Sequence, residues 1–171
     1  MIVLTEVNSE EQIERTARLA HEIWHQHFTP IIGADQVEYM LGKFQNAEAM
    51  KRQMEQEGYT YLSVLDGDEP VGYTGFKKET NRMFLSKLYV KEDHRSQGIG
   101  RLMFEEIKKR SEGLDNIYLT VNKHNDVTIA IYCHMGFELI DSVVTDIGSG
   151  YVMDDYIFQY TMPAGNQALT Q

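Results

Sequence analysis

The chain has 171 residues, 42% of them apolar, and a formal net charge of −10. That length suits one domain with a substantial core, and the acidity excludes non-specific binding to nucleic acid or membrane surfaces, which need basic patches. The single cysteine, Cys133, excludes an intramolecular disulfide and a cysteine zinc cluster. With no signal-peptide pattern and no apolar run of transmembrane length, the expected compartment is the cytoplasm.

In chain order, "MIVLTEV" predicts a first strand. Ser9 and Gln12 spell a capping box for a helix running to about Phe28, with Pro30 and Gly33 expected to break it. Ile13, Ala17, Ala20, Trp24 and Phe28 share one face of that helix, and His27 lies near it. Helical segments follow over "DQVEYMLGKF" and "NAEAMKRQMEQE", the second capped by Asn46. "YTYLSVLD", the turn "GDEP" and "VGYTGFKK" predict a hairpin, and "NRMFLSKLYV" another strand. A polar turn with two glycines then opens a helix whose buried stripe is Ile99, Leu102, Met103 and Ile107. Lys108, Lys109 and Arg110 stand at its C-terminus, where the dipole favours them. "NIYLTV" is a strand, "DVTIAIYCHM" a short helix ended by Gly136, and "FELIDSVV" and "YVMDDYIFQYTM" are closing strands. Helices fall early and antiparallel hairpins late, so the expected class is α+β with a mixed central sheet. One domain is expected over residues 1–162, with a disordered tail at 163–171.

The glycine turn carries the first chemistry. In "RSQGIGRL" the helix begins near Gly98, with Arg95 and Arg101 close by. Two absent side chains let an anion approach backbone N–H groups, whose partial positive charge needs no net-basic protein. The standard nucleotide patterns fit badly: GxxxxGK[ST] is absent, and Met103 occupies the third glycine position of GxGxxG. Spacing alone leaves a phosphate site and a plain tight turn both open.

The run "HRSQGIGRLM", after the strand end "LYV", resembles the acyl-CoA motif R/Q-x-x-G-x-G/A of the GNAT superfamily of N-acetyltransferases. "NDVTIAIYCHMGF" resembles that family's second motif, with Asn125, Tyr132, Gly136 and Phe137 in its places and Thr128 where alanine is usual. The resemblance covers Met83 to Phe137, and strand order extends it over most of the chain. "YVMDDYIF" and "IWHQHFTPIIGADQVEYML" further look like a bacterial branch near polyamine acetyltransferases. The resemblance implies a GNAT-like sheet of about seven strands flanked by helices, with acyl-CoA in the splay between two central strands. It implies acetyl-CoA as cosubstrate, direct transfer to a primary amine, and no metal. Arg95, Gln97, Gly98, Ile99, Gly100, Arg101 and Leu102 would cradle the CoA diphosphate. Leu88 and Val90 would pair with the pantetheine arm, and Asn125 would contact it further along. Tyr132 would lie near the sulfur and stabilise or protonate a leaving thiolate whose conjugate acid has a pKa of ~8.5; the plain alternative is a core tyrosine packed beside Met135.

A base is harder to place. The strand before the glycine turn offers Ser86 and Lys87 and no acid. His27 is the candidate base, and a buried, hydrogen-bonded histidine is its bland alternative. "HEIWH", His21 to His25, matches the HExxH pattern of zinc proteases. The downstream metzincin residues are absent and no partner-helix glutamate is evident, so a solvated helix flank is expected. Cys133 is expected to pack in its helix rather than act as a nucleophile. On the acceptor side stand Glu38 and Tyr39, with Asp35 beside them and Tyr59, Tyr61 and Tyr73 as further aromatics. Asp154 and Asp155 interrupt the closing strand; alternation puts Asp154 with Val152, Tyr156, Phe158 and Tyr160 among apolar neighbours. An acid so placed wants a partner, and a cationic substrate, a protein arginine and water at the strand end all stay open. A small cationic amine such as a polyamine is the expected acceptor. A protein N-terminus or lysine is the alternative acceptor, and a non-catalytic acyl-CoA-binding regulatory module the alternative class. A homodimer is allowed.

Overall fold

The computed structural model describes residues 1–164, so most of the expected tail lies outside the described residues. Seven strands form one mixed sheet: β1 (Ile2–Glu6), β2 (Tyr59–Asp66), β3 (Glu69–Lys78), β4 (Arg82–Val90), β5 (Asn116–Asn122), β6 (Glu138–Gly148) and β7 (Tyr151–Thr161), in the order β1-β2-β3-β4-β5-β7-β6. The helices are α1 (Glu10–Ile32), α2 (Ala34–Met40), α3 (Ala47–Gln56), α4 (Ile99–Arg110) and α5 (Asp126–His134). Two compact units share β4: Met1–Lys77 with Ser86–Ile107, and Lys78–Leu85 with the described residues from Lys108 onward. Among the described residues no helix is long and apolar enough to cross a membrane.

In the first unit, local signals fix the helix starts. Ser9 accepts from Gln12 N–H at 3.2 Å while Gln12 Oε1 accepts from Ser9 N–H at 3.1 Å, completing the capping box. Asn46 caps α3 by accepting from Ala49 N–H at 2.7 Å. α1 does not stop at Phe28. It runs through Pro30 to Ile32, because a proline so near the end removes only one ladder bond. Gly33, at φ 86°, then closes the helix with its N–H on Thr29 C=O at 3.0 Å. The second expected helix is also interrupted, since Leu41–Gln45 widen into a π-helical turn before Asn46.

The core of this unit explains the placement of α4. Ile99 and Met103 are buried with Val64 and Val71, and Leu4, Leu88 and Val90 pack around them. Leu102, expected in the stripe, is 39% exposed, and Phe104 is buried in its stead. Residues 99, 103 and 107 already make one ladder, and 104 widens it on the side away from 102. A Cβ at Gly72 would lie 3.3 Å from Ile99 Cγ2 of α4 and 3.1 Å from Tyr89 C=O of the neighbouring β4.

In the second unit, β7 runs antiparallel to both β5 and β6. The parallel register of β4 with β5 covers Arg82–Phe84 against Asn116–Tyr118. Ile117, Leu119, Phe137 and Phe158 are buried. α5 buries Tyr132 among its residues and leaves Ile131 47% exposed. Cys133 is therefore exposed, not packed as expected, because it follows Tyr132 by 100° around a one-sided helix.

Gly72→Ala is expected to lower stability by about 1–3 kcal/mol, the usual cost of overpacking. The neighbour at 3.1 Å is backbone and cannot rotate away. Urea unfolding of both proteins checks this; an unchanged midpoint would show that the contacts with Tyr89 and Ile99 relax without loss.

Candidate active site

The glycine turn is built from the first unit alone. β4 ends at Val90, and Lys91 N–H continues onto Val71 C=O at 2.8 Å. A 3₁₀ turn at Glu92–His94 follows. His94 holds it to the sheet, with Nδ1 2.7 Å from Asp93 and Nε2 3.3 Å from Asp66. The Asp93 carboxylate, more than any other neighbour, raises the imidazole above its ordinary pKa. Ser96 (φ 64°) and Gly98 (φ 82°) then turn the chain into α4 through left-handed backbone.

Leu102 N–H donates to Gly98 C=O at 2.9 Å, so the N–H groups of Ile99, Gly100 and Arg101 have no acceptor within the helix. A Cβ at Gly98 would meet nothing within 4 Å, so the approach to these donors is open. Exposed Gln97 and Arg101 flank it, and Arg95 folds back to donate from Nε to Val90 C=O at 3.2 Å. Open space, donors without helical acceptors and two arginines in one turn fit an anionic group such as the diphosphate of CoA. Leu88 and Val90 are half-buried on the β4 half belonging to this unit.

The same half of β4 holds a group that the sequence did not flag as special. Lys87 is 4% exposed, and its Nζ donates to Gln53 Oε1 at 2.8 Å. Tyr61 donates to the same oxygen at 2.5 Å, and Thr74 Oγ1 donates to Lys87 C=O. Desolvation brings the Lys87 ammonium down to about 7. An amphipathic-strand reading would have placed position 87 inside with Leu85 and Met83, and a lysine there was the available signal. Tyr61 and Tyr73 are fully buried, hydrogen-bonded to Gln53 and Gln45, so they are core tyrosines and not pocket lining. Burial raises both phenols well above their ordinary pKa.

His27 is half-buried on α1, its ring edge-on to Phe28 at 4.8 Å. Tyr39 is half-buried on α2, accepting from Lys43 Nζ at 3.3 Å. Glu38 does not stand alone in solvent: its Oε1 lies 2.6 Å from His25 Nε2. The expectation that no partner-helix glutamate accompanies the HExxH run is thereby corrected. α2 folds back on α1 directly after Gly33, a proximity that the sequence pattern alone does not encode.

In the second unit, Asn125 is 3% exposed at the start of α5, where its side chain does not cap the helix. Tyr132 is 7% exposed and packs its ring against Phe137 with centroids 5.5 Å apart. Burial pushes its phenol well above the ordinary value, so the hydroxyl stays protonated and able to donate. The acidic pair is arranged opposite to expectation. Asp154, expected among apolar neighbours, has a side chain 45% exposed and an oxygen 2.9 Å from Lys123 Nζ. Val152 on its face is itself 49% exposed. Asp155 is the buried one, 5% exposed, opposite Asn122 of β5 and Val143 of β6. Desolvation first, then the Asp154 charge, push Asp155 up to about 6.

Residues 28–153 match the family model described as Acetyltransferase (GNAT) domain. The chain belongs to the GNAT acetyltransferase family. It is 31% identical over 103 residues to the peptidyl-lysine N-acetyltransferase YjaB of Salmonella typhimurium, an alignment covering 60% of this chain and 66%, just under two thirds, of that one. It is 23% identical over 150 residues to a spermidine N(1)-acetyltransferase of Thermoplasma acidophilum, covering 84% of this chain and 91% of that protein. Its fold matches the crystal structure of the PaiA N-acetyltransferase of the same organism in complex with coenzyme A. There the TM-score is 0.79 at 22% identity, over 94% of this chain and 99% of the other. For this GNAT protein acetyl-CoA is the expected cosubstrate.

Gly98→Val tests the cradle. At φ 82° a β-branched residue costs about 1–2 kcal/mol, so the turn either rearranges its amides or keeps them behind a new side chain. Both outcomes should weaken acetyl-CoA binding by more than about tenfold while the chain stays folded. Unchanged calorimetric affinity in a folded variant would place the cosubstrate elsewhere.

Proposed function

We propose that the protein transfers the acetyl group of acetyl-CoA directly to a primary amine, and that this amine is a small cation of the polyamine class. The observation that carries the acceptor assignment is the acidic pair on β7, with Asp155 buried in the sheet and Asp154 beside it. The chain's charge of −10 points the same way, because the cosubstrate is itself an anion and gains nothing from it. The spermidine N(1)-acetyltransferase relative, aligned over 91% of its length, supports this reading. The peptidyl-lysine relative supports a second one, in which the primary amine belongs to a protein lysine.

When bound, acetyl-CoA supplies the activated thioester. In this reading the amides from Gln97 to Leu102 hold the diphosphate, and the backbone of Leu88 and Val90 aligns the pantetheine arm like an added strand. Asn125 takes a position further along the arm. The acceptor arrives as an ammonium with a pKa near ~10.4, so a proton must leave before it can attack. His27, directly or through water, receives that proton. Tyr132, kept neutral by burial, hydrogen-bonds to the departing thiolate and gives it the proton. A distal ammonium of the acceptor rests on the β7 acids. A carboxylate that binds charge away from the reacting nitrogen acts on KM.

CoA-thiol release across amines, polyamines, amino acids and peptides tests the activity. Tyr132→Phe is expected to lower turnover about 10²–10⁴-fold with acetyl-CoA affinity little changed; equal turnover would remove the proton-donor role. A wild type without turnover on every acceptor would instead support an acyl-CoA-binding regulatory module.

Asp155→Asn is expected to raise KM for the polyamine and spare acetyl-CoA affinity. The pH dependence follows from the raised pKa. Above about 6 Asp155 is charged and can hold the amine; below it the acid is neutral, so the wild-type KM should climb as pH falls through that value. Stability runs the other way. A carboxyl with a folded pKa above its unfolded one destabilises the fold at pH values above both. Asp155→Asn should therefore raise Tm at pH 8, a gain that fades below about pH 4. A rise in KM together with a rise in Tm separates lost binding from lost folding; an unchanged KM would make the pair mere strand charge.

A further inference from the structure

We infer that His21, His25 and Glu38 form a binding site for a divalent transition metal of the zinc class. The site lies within the first unit and apart from the glycine turn. His21 and His25 stand one turn apart on α1, their ring centroids 4.4 Å apart. Glu38 reaches them from α2 across the break at Gly33. One ligand atom from each of the three residues comes together, all within 4.8 Å of one another.

A second observation separates this cluster from an ordinary surface ion pair. His25 Nε2 has almost no solvent exposure and makes no hydrogen bond, although Glu38 Oε1 is only 2.6 Å away. Lone pairs converging without a hydrogen between them suit a cation. Zinc bonds to imidazole nitrogen and carboxylate oxygen are both near ~2.1 Å, which places tetrahedral ligand atoms about 3.4 Å apart. Small side-chain movements bring all three to that spacing. Two imidazoles and one carboxylate are a borderline donor set, matched to zinc rather than to calcium or magnesium. Water or an incoming group completes the fourth position, since His21 and Glu38 face solvent.

The site is not a hydrolase centre. In an HExxH hydrolase the glutamate between the histidines is the general base. Here that residue, Glu22, lies 3.8 Å from Lys91 Nζ and is engaged there. What metal binding does is fasten α2 to α1 across Gly33. Glu38 then serves the metal and is withdrawn from direct acceptor contact, so metal occupancy tunes the acceptor side of the protein.

The test uses the full chain, stripped with a chelator and titrated with zinc sulfate. One zinc per chain is expected. With zinc about 100-fold above its Kd, Tm should rise by roughly 5–10 °C. Cobalt substituted for zinc should give the intense visible absorption of a tetrahedral site. His25→Ala and Glu38→Gln should each abolish the Tm shift, while His124→Ala, far along the sequence, should keep it. Unfolding of the metal-free variants shows whether they fold; the isosteric Glu38→Gln guards against a folding defect. No zinc-dependent shift in the wild type, or a shift surviving both ligand substitutions, overturns the inference. Thiol release by the metal-free wild type is measured alongside. It reads the acetyltransferase assignment independently, so the two can fail separately.

Discussion

The contact between α4 and β3 is the constraint on which the proposed cosubstrate cradle depends. Ile99 and Met103 pack directly over position 72, which carries no side chain. Dispersion and burial hold the helix there, and the helix in turn fixes where its first amides point. An anion site made of backbone has no flexible side chain to correct an error of placement. Its precision is inherited from the packing beneath it. A glycine in the middle of a strand thereby helps to set where those amides point.

The same economy explains how an acidic protein can hold an anion. Partial charges on the helix N-terminus act over a few ångströms and leave the surface free to stay negative. Arg95 and Arg101 add full charges at that one spot. Elsewhere the excess of carboxylates is left for cations: Lys123 on Asp154, Lys51 on Glu10, His94 between Asp66 and Asp93. If the acceptor is the cation proposed, attraction for it and for the anionic cosubstrate would be divided between side chains and backbone.

Much of this was legible in the sequence where the cause is local. The capping box at Ser9, the Asn46 cap and the glycine turn all depend on residues within four positions of each other, and all three stand as read. The family motif around Gly98 likewise lies on contiguous residues, and the family match bears out the membership it implied. What went unread depends on tertiary neighbours. Strand alternation names the two faces at Asp154 and Asp155 but not which one is covered, and the covered one is Asp155. Glu38 meets His25 because α2 doubles back after Gly33, and nothing in the spacing announces it. Cys133 was placed inward on helix hydrophobicity, yet α5 is an apolar helix with much of its surface open.

Lys87 gives the interior a chemical property of its own. Near neutral pH its amine is neutral in a large share of molecules, and a neutral amine attacks thioesters, the bond class of this family's cosubstrate. In the closed chain the amine is reactive but unreachable. In the fully unfolded chain it is reachable but protonated like any lysine. Only a partly opened core, still dry enough to keep the nitrogen neutral yet loose enough to admit a small thioester, combines both conditions. An acetyl group found on Lys87 would therefore be a covalent record of breathing around Gln53 and Tyr61, a motion that acetylation of exposed Lys51 could never register.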